Sequence, residues 1–282
     1  MSSVLYDVPG PKARLYSFFG SVAGTLVILG VLAIAVFTLA QQGIFDANRW
    51  EIFYGTEAPD VWNLILQGLG ATLAAAAVSA VIAFPLGVAL CLLRISLVPW
   101  IRVPTQVVLE FLRGMPVVLM MFFVLLVFAT SQFVAVVAGL VLYNSAIFAE
   151  ILRAGIQSLP KGQREAGLAI GLQSFQSRMI IELPQAIRRM LPSLVAQLVV
   201  LLKDTSLGFI VGYEELLRKI QIMADFLGPN FLFPAFFMGA AIYILINIAV
   251  SRLAIAIERR GSKKAAGGVE HATAAGAVPT AK

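Results

Sequence analysis

The stretch WNLILQGLGATLAAAAVSAVIAFPLGVALCLL, residues 62–93, contains no charged side chain in 32 positions. A helix of about 20 apolar residues crosses the hydrocarbon core of a bilayer, which is roughly 30 Å thick. The stretch is therefore predicted to be a membrane-spanning helix. Its interruption at Pro85 and Gly87 is tolerable only where neighbouring helices satisfy the freed backbone groups.

The composition of the whole chain agrees with a membrane protein. Hydrophobic residues make up 60% of the 282 positions and charged residues only 13%, against about a quarter in soluble domains. A soluble fold of this length would leave large apolar patches exposed. One cysteine, Cys91, excludes an intrachain disulfide. The only histidine, His271, lies in a polar tail, which makes a histidine-based metal site or histidine-dependent catalysis close to excluded.

Five further stretches are apolar enough to span a membrane, which predicts an all-α polytopic protein. The six predicted spans are residues 17–40, 62–93, 104–129, 133–152, 191–211 and 234–257. The third contains a polar break, Arg113-Gly114-Met115-Pro116. The first follows Lys12 and Arg14, so a cleaved signal peptide is an alternative, but its length favours a retained anchor.

The distribution of lysine and arginine predicts the orientation of the spans. With the N-terminus in the cytoplasm, the inner loops and tails carry sixteen basic residues and the outer loops carry three. Both termini are therefore predicted to be cytoplasmic, as an N-terminal segment 1–16 and a tail 259–282. The tail is rich in alanine and glycine and is predicted to be disordered. Arg153, Arg188 and Arg189 lie at the inner interface and are expected to snorkel to lipid headgroups.

The predicted cytoplasmic loop 153–190 is long for a connection between helices. Residues 164–171 are predicted to form a short helix closed by glycine. A second helix is predicted over 175–182 and to end at Leu183-Pro184, because proline disfavours helix in the residue before it. The small residues of the first helix would allow close approach by another protein. The alternative is an amphipathic hairpin lying on lipid headgroups.

A spaced motif in this loop has a known counterpart. Its residues are Glu165, Ala166, Gly167, Gly171, Ile181, Leu183 and Pro184. This pattern resembles the signature loop of permease subunits of ATP-binding-cassette importers, which is E-A-A, three residues, G, nine residues, I-x-L-P. Gly167 replaces the second alanine, a small-for-small change. The resemblance implies that the loop is the coupling helix, which in that family sits in a cleft of the ATPase subunit.

Flanking motifs narrow the resemblance to the histidine/glutamine/glutamate-type branch of the polar amino acid permeases. They are EFLRGMP at 110–116, AEILRAGI at 149–156, PKGQ at 160–163 and KDTSL at 203–207. The resemblance covers residues 62–258 and implies a type I importer fold in a bacterial cell membrane. In that fold, the helix 17–40 precedes a five-helix core. Ile147 stands where that branch usually has tyrosine, so no substrate contact of that tyrosine is carried over.

The resemblance also implies the partners. These are a dimer of ATPase subunits, a second homologous or identical permease subunit, an extracytoplasmic substrate-binding protein, a polar amino acid and membrane lipid, with no nucleic acid. The sequence has no G-x-x-x-x-G-K-[ST], so ATP must be hydrolysed by a partner and no cofactor is expected in this chain.

The substrate expected from the resemblance is glutamate, because residues 203–217 most resemble glutamate permeases. Histidine, arginine, glutamine or an opine are alternatives within the same class. Two alternatives come from other classes. An ion channel would have no reason for the signature loop, and an intramembrane enzyme would need a nucleophile–base or metal constellation that the sequence does not offer.

Polar and charged residues inside the spans are candidates for the translocation path, because each charge costs at least about 2.5–3.5 kcal/mol to insert. They are Glu110, Arg113, Glu150, Lys203, Asp204, Thr205 and Ser206. Glu110 and Arg113, three residues apart, could neutralise each other. The adjacent Lys203 and Asp204 must find partners on other helices. The set either holds the charged groups of an amino acid or locks helices together.

Overall fold

The computed structural model describes residues 10–275, which form helices joined by short turns, with no strand among them. The α-helices in this range are α1 (Pro11–Gln41), α2 (Ala47–Trp50), α3 (Ala58–Arg94), α4 (Pro99–Gly114), α5 (Val117–Val127), α6 (Gln132–Gln157), α7 (Lys161–Ala169), α8 (Ser174–Ser177), α9 (Leu183–Asp204), α10 (Leu216–Leu227) and α11 (Leu232–Ala275).

The structure confirms an all-helical membrane fold. Five segments are long and apolar enough to cross a bilayer, and α4 with α5 makes a sixth if the bent pair counts as one span. The five segments are Lys12–Gln41, Ala58–Arg94, Gln132–Gln157, Ser174–Val211 and Pro229–Leu253. They coincide with five of the six spans predicted from hydropathy.

The remaining predicted span, 104–129, is not one helix. Helices α4 and α5 meet at an angle of 101°. The break falls at Met115, which is extended at φ −90° and ψ 131°, because Pro116 disfavours the helical conformation in the residue before it. Helix α5 has 11 residues and is therefore about 16 Å long, roughly half of the hydrocarbon core. The two helices together make a broken span.

The core of the fold is built around α6. In its apolar segment 61% of the residues are buried, compared with 33% or less in the other four straight spans. Helices α3, α5 and α9 pack against it. Leu140, Phe148 and Leu152 of α6 are fully buried, and the Phe148 ring meets that of Phe84 edge to face at 5.8 Å. One helix thus supplies the surface on which the others assemble.

A second cluster joins the start of α3 to α10 and α11. Ile65, Leu216, Ile220 and Ala235 are fully buried in it. Two hydrogen bonds reinforce this contact. The Tyr213 hydroxyl donates to the carbonyl of Ala71 at 2.9 Å, and the Leu216 amide donates to the hydroxyl of Thr72 at 3.2 Å. Helix α10 therefore lies fixed across the end of α3.

Helix α1 lies outside this packed core. All its side chains described between residues 12 and 38 are exposed. Many of them are phenylalanine, leucine, isoleucine and valine. In the single chain, this apolar surface is therefore available to contact lipid.

The C-terminal tail differs from its prediction. Residues 259–282 were expected to be disordered, but α11 continues through Ala275. Alanine has the highest helix propensity, and Ala265 and Ala266 lie beyond the apolar span in the same continuous helix. Residues 1–9 and 276–282 lie outside the described part of the chain.

The contact between α3 and α6 yields a stability prediction. A Cβ atom at Gly87 would lie 2.6 Å from Cβ of Phe148 and 3.0 Å from the carbonyl of Ser145. We expect Gly87→Ala to lower the thermal stability of the purified protein, because overpacking costs about 1–3 kcal/mol. The matched control is Gly70→Ala in the same helix, where no atom lies within 4 Å of the added carbon. Equal melting temperatures for the two variants would contradict the close packing.

Candidate functional site

The loop between α6 and α9 contains two short helices, as predicted. Helix α7 is the first, and it ends before Gly171, which has a φ of +86°. The second begins with α8 but does not end at Leu183. A π-helical turn, Arg178–Glu182, runs from α8 directly into α9. The predicted stop at Pro184 is therefore wrong.

The π turn explains why Pro184 is tolerated. The Leu183 amide bonds to the carbonyl of Arg178, five residues earlier. The wider turn moves the preceding carbonyls away from the proline ring, which would clash with the carbonyl four residues earlier in a regular α-helix. Pro184 then stands in the first turn of α9, where a missing N–H is best accommodated.

Gly167 serves the packing of the loop on itself. A Cβ atom there would lie 2.7 Å from Oγ of Ser177 and 2.9 Å from Cδ1 of Ile181. This small residue therefore lets α7 contact the π turn of its own chain, whereas the sequence suggested that it would admit another protein. Leu183 is also buried. Part of the signature motif thus builds the loop itself.

The rest of the signature motif faces outward. Glu165, Ala166, Gly171 and Pro184 are exposed. Beside them, Ile170 and Phe175 have 76% and 60% of their surface exposed. The loop therefore presents the Glu165 carboxylate together with large exposed apolar side chains.

The segment from Lys203 to Ser206 lies where α9 changes into a 3₁₀ helix. The Thr205 hydroxyl donates to the carbonyl of Leu202 at 2.7 Å and the Ser206 hydroxyl to that of Lys203 at 2.8 Å. Lys203 is exposed and Asp204 half-buried. Among the side chains of residues 12–253, neither of the two forms an ion pair. The partners expected on other helices are thus not found in this part of the chain.

The charges on α4 and α6 pair differently from the prediction. Glu110 accepts a hydrogen bond from Nε2 of Gln106 at 2.7 Å, and no ion pair with Arg113 occurs among the described residues. Both side chains are exposed. Glu150 instead binds Arg153 through two hydrogen bonds of 2.9 and 2.5 Å. Arg153 was expected to snorkel to lipid, but a carboxylate one helical turn away holds it.

The candidate path residues therefore lie on α4, on α6, and at the end of α9 with the 3₁₀ helix that follows it. Across the described side chains, the one hydrogen bond between two of them is local, from the Ser206 hydroxyl to the Lys203 carbonyl, and no ion pair joins two of them. Each group is satisfied locally or is left without a partner in the single chain. The structure does not bring them together into one closed site.

Three polar residues that the sequence reasoning missed lie between these helices. Asn144 on α6 is fully buried and accepts a hydrogen bond of 2.9 Å from Nε2 of Gln197 on α9. The Tyr243 hydroxyl on α11 lies 3.1 Å from the carbonyl of Leu202 and 2.9 Å from that of Lys203. Each of the three is an uncharged amide or phenol inside a predicted span. A search of the spans for charged residues does not find them.

Glu215 is the buried N-cap of α10. It follows the end of the span that begins at the loop between α6 and α9. Its carboxylate accepts hydrogen bonds from the amides of Leu217 and Arg218 at 3.0 and 2.9 Å. Burial raises the pKa of this carboxyl to about 7, against the opposing effect of the two amides. Its neighbour Glu214 is exposed, and its hydrogen bond to Lys219 lowers the pKa of that carboxyl. From the sequence, both residues had been considered only in the charge balance of the loop between spans.

A comparison with protein families decides the assignment. The family of binding-protein-dependent transport system inner membrane components matches residues 81–263. The chain belongs to this family. The match includes the whole loop between α6 and α9 and the ends of the spans on either side of it.

Individual relatives agree with this assignment. The permease is 42% identical over 231 residues to the glutamate transport system permease protein GluD of Corynebacterium glutamicum, a match covering 79% of this chain and 83% of that protein. It is 32% identical over 216 residues to the probable glutamine ABC transporter permease protein GlnP of Bacillus subtilis, covering 74% and 98%.

Solved structures agree as well. A crystal structure of an amino acid ABC transporter with histidines is 28% identical, with a TM-score of 0.65, and the match covers 72% of this chain and 97% of that chain. An inward-facing MetNI methionine ABC transporter, 22% identical with a TM-score of 0.54 and covering 71% and 98%, shares the fold. The permease is thus an inner-membrane subunit of an amino acid ABC importer with the type I fold. It is not an enzyme, since the ATPase of such systems is a separate subunit.

The buried amide pair can be tested for its contribution to helix packing. We expect a double-mutant cycle of Asn144→Ala and Gln197→Ala to give a coupling energy of about 0.6 kcal/mol, and up to about 1.7 kcal/mol, as for other hydrogen bonds between membrane helices. The control is the exposed pair Asn63 and Gln67, which makes a 3.3 Å hydrogen bond on α3. Its coupling should be near zero in the same unfolding measurement. A coupling for the buried pair no larger than that of the exposed pair would contradict its role.

Proposed function

We propose that this permease imports glutamate. The observation that carries the proposal is its 42% identity, over most of both chains, to a permease described as part of a glutamate transport system. The charge of Lys203 supports it, because an anionic substrate needs a cation near its path and Lys203 has no ion-pair partner among the side chains of residues 12–253. Glutamine is the second candidate, favoured by the match to GlnP.

The partners belong to the same proposal. An ATPase dimer supplies the energy, and a second permease subunit, identical or homologous, completes the path. A binding protein delivers the amino acid from outside, which the name of the family supports. Both termini lie in the cytoplasm under the positive-inside rule, so the loop between α6 and α9 faces the ATPase.

The loop between α6 and α9 couples ATP hydrolysis in the partner ATPase to transport. It does so through its outward-facing surface. Glu165 and Ala166 on α7 stand beside the exposed side chains of Ile170 and Phe175. Large apolar side chains on a projecting polar loop are typical of a protein contact, because water would otherwise surround them. The packing of Gly167 against Ser177 makes the base of the loop stiff, so a push on α7 is passed to the π turn and α9.

The amino acid passes along α9 near the change from α-helix to 3₁₀ helix. Asp204 binds the ammonium group of the substrate and Lys203 binds its carboxylate. Both are available because neither is neutralised by an ion pair among the described side chains. The Tyr243 hydroxyl fixes the end of α9 by bonding its last carbonyls. In the alternative, the same charges hold the second permease subunit and do not touch substrate.

The coupling surface is tested by a graded series at Glu165. We expect Glu165→Lys to leave assembly in the membrane intact but to uncouple ATP hydrolysis from uptake, because it reverses the charge presented to the ATPase. Glu165→Gln, which only removes the charge, should give a smaller loss. Uptake and substrate-stimulated ATPase activity are measured on the assembled transporter. Wild-type coupling in both variants would refute the assignment of this surface.

The path is tested at Asp204. We expect Asp204→Asn to raise the KM of uptake by about tenfold, equivalent to about 1.4 kcal/mol, because a hydrogen bond to a charged group is lost. Asp225→Asn, an exposed aspartate on α10, is the control and should keep the normal KM. Reduced membrane abundance with an unchanged KM for Asp204→Asn would assign this residue to subunit packing.

The substrate itself is decided by competition. Uptake of radiolabelled glutamate by the intact transporter is measured against excess unlabelled glutamine, histidine and arginine. Strong competition by glutamine and weak uptake of glutamate would replace the first candidate with the second.

A further inference from the structure

A cavity of about 620 Å³ lies where the ends of α3 and α6 meet the start of α4 and the loop between α6 and α9. Its lining is basic. The cationic residues around it are Arg94, Arg102, Arg153, Lys161, Arg164 and Arg178. These come from five separate segments of the chain, so the fold brings them together and no single sequence motif does. The translocation path proposed above uses none of them.

Most of these charges have no counter-ion. Glu150 neutralises Arg153 in the ion pair described above, and Glu182 is the one carboxylate in the lining. Counting Glu150 and Glu182 against the six cations leaves an excess of four positive charges. Of the six, only Arg153 forms an ion pair among the side chains that the structure describes. Charges of one sign around a cleft focus the field and attract anions.

Arg178 is held in this site although it is buried. Only 9% of its surface is exposed, and its Nη1 group donates to the carbonyl of Ile95. A guanidinium carries five N–H donors, and this is the one acceptor found for it in the described part of the chain. A buried arginine with unused donors beside a cavity is suited to an anion with several oxygens, since guanidinium and phosphate bind in matched pairs.

The residues around the cavity are typical of the membrane–water interface. Trp100, at the start of α4 between Arg94 and Arg102, has 90% of its surface exposed. Tryptophan is enriched at the membrane–water interface. The positive-inside rule assigns the same side to the cytoplasm, whose leaflet carries the anionic lipids. A volume of 620 Å³ is within the usual range for small-molecule sites.

We propose that this cavity binds a phosphate group, supplied by the headgroup of an anionic phospholipid. The bound phosphate ties Lys161 and Arg164 of α7 to Arg94 and Arg102 at the ends of α3 and α4. The position of the coupling surface then depends on the lipid around the transporter. Free inorganic phosphate is the other source of the same chemistry.

The test uses the complete transporter, purified with its ATPase and binding partners. Phosphatidylglycerol is titrated into the detergent-solubilised complex and bound lipid is counted by native mass spectrometry. We expect the double variant Arg94→Gln, Arg102→Gln to bind it roughly 25-fold more weakly, from the loss of two charges near the headgroup. The control, Arg188→Gln with Arg189→Gln, removes two exposed charges expected at the same interface but outside the cavity, and it should lose far less affinity. An equal loss in the two double variants would overturn the proposal.

A parallel titration with inorganic phosphate at constant ionic strength separates the two sources. Preference for phosphatidylglycerol over phosphatidylcholine, lost in the cavity variant, supports the lipid. Saturable binding of phosphate alone, also lost in that variant, supports the site with free phosphate as its source. If the double variant does not assemble, Arg102→Gln alone should weaken binding about fivefold. Equal affinity in the wild type, the cavity variants and the control overturns the proposal.

Discussion

The close contact between α3 and α6 is the constraint on which the rest of the fold depends. Lipid tails are as apolar as leucine, so helices in a bilayer gain little from hiding apolar surface from each other. They gain from van der Waals contact at short range, and Gly87 lets the backbone of α3 reach Phe148 and Ser145 of α6. With these two helices fixed, α5 and α9 pack on the other faces of α6.

Departures from regular helix are confined to places where other groups satisfy the backbone. At Met115 and Pro116 the chain is extended, with ψ of 131° and 132°, and the Met115 amide still donates to the Phe111 carbonyl. At the π turn the Leu183 amide bonds to the Arg178 carbonyl, five residues earlier, and Pro184 follows in the first turn of α9. At the end of α9 the hydroxyls of Thr205 and Tyr243 cap the last carbonyls. Such local solutions permit irregular chain inside the membrane, where water offers no alternative partner.

Hydropathy alone predicted five of the six spans, because apolar runs of twenty residues have few alternatives to membrane helices. The signature motif located the loop for which a coupling role is proposed. The sequence could not show that Gly167 packs against Ser177 or that Glu150 forms its ion pair with Arg153. Both contacts depend on the positions of side chains in space and not on the spacing of residues along the chain.

The amide pair of Asn144 and Gln197 was missed for a related reason: these residues are 53 positions apart in the chain. The basic cavity is similar, since its lining comes from separate segments. Contacts between distant residues become visible only when the helices are assembled.

The exposed surface of α1 has a consequence for how its sequence can change. A residue in α6 is constrained by the shape of its neighbours, so the order of side chains there carries specific information. In α1 every side chain from residue 12 to residue 38 is exposed within the described part of the chain, so these positions are constrained less by neighbours than by their summed affinity for lipid. Its sequence can therefore drift between relatives through many apolar replacements, while α6 is held to a few. Divergence along this chain is expected to be steepest where it enters the membrane for the first time.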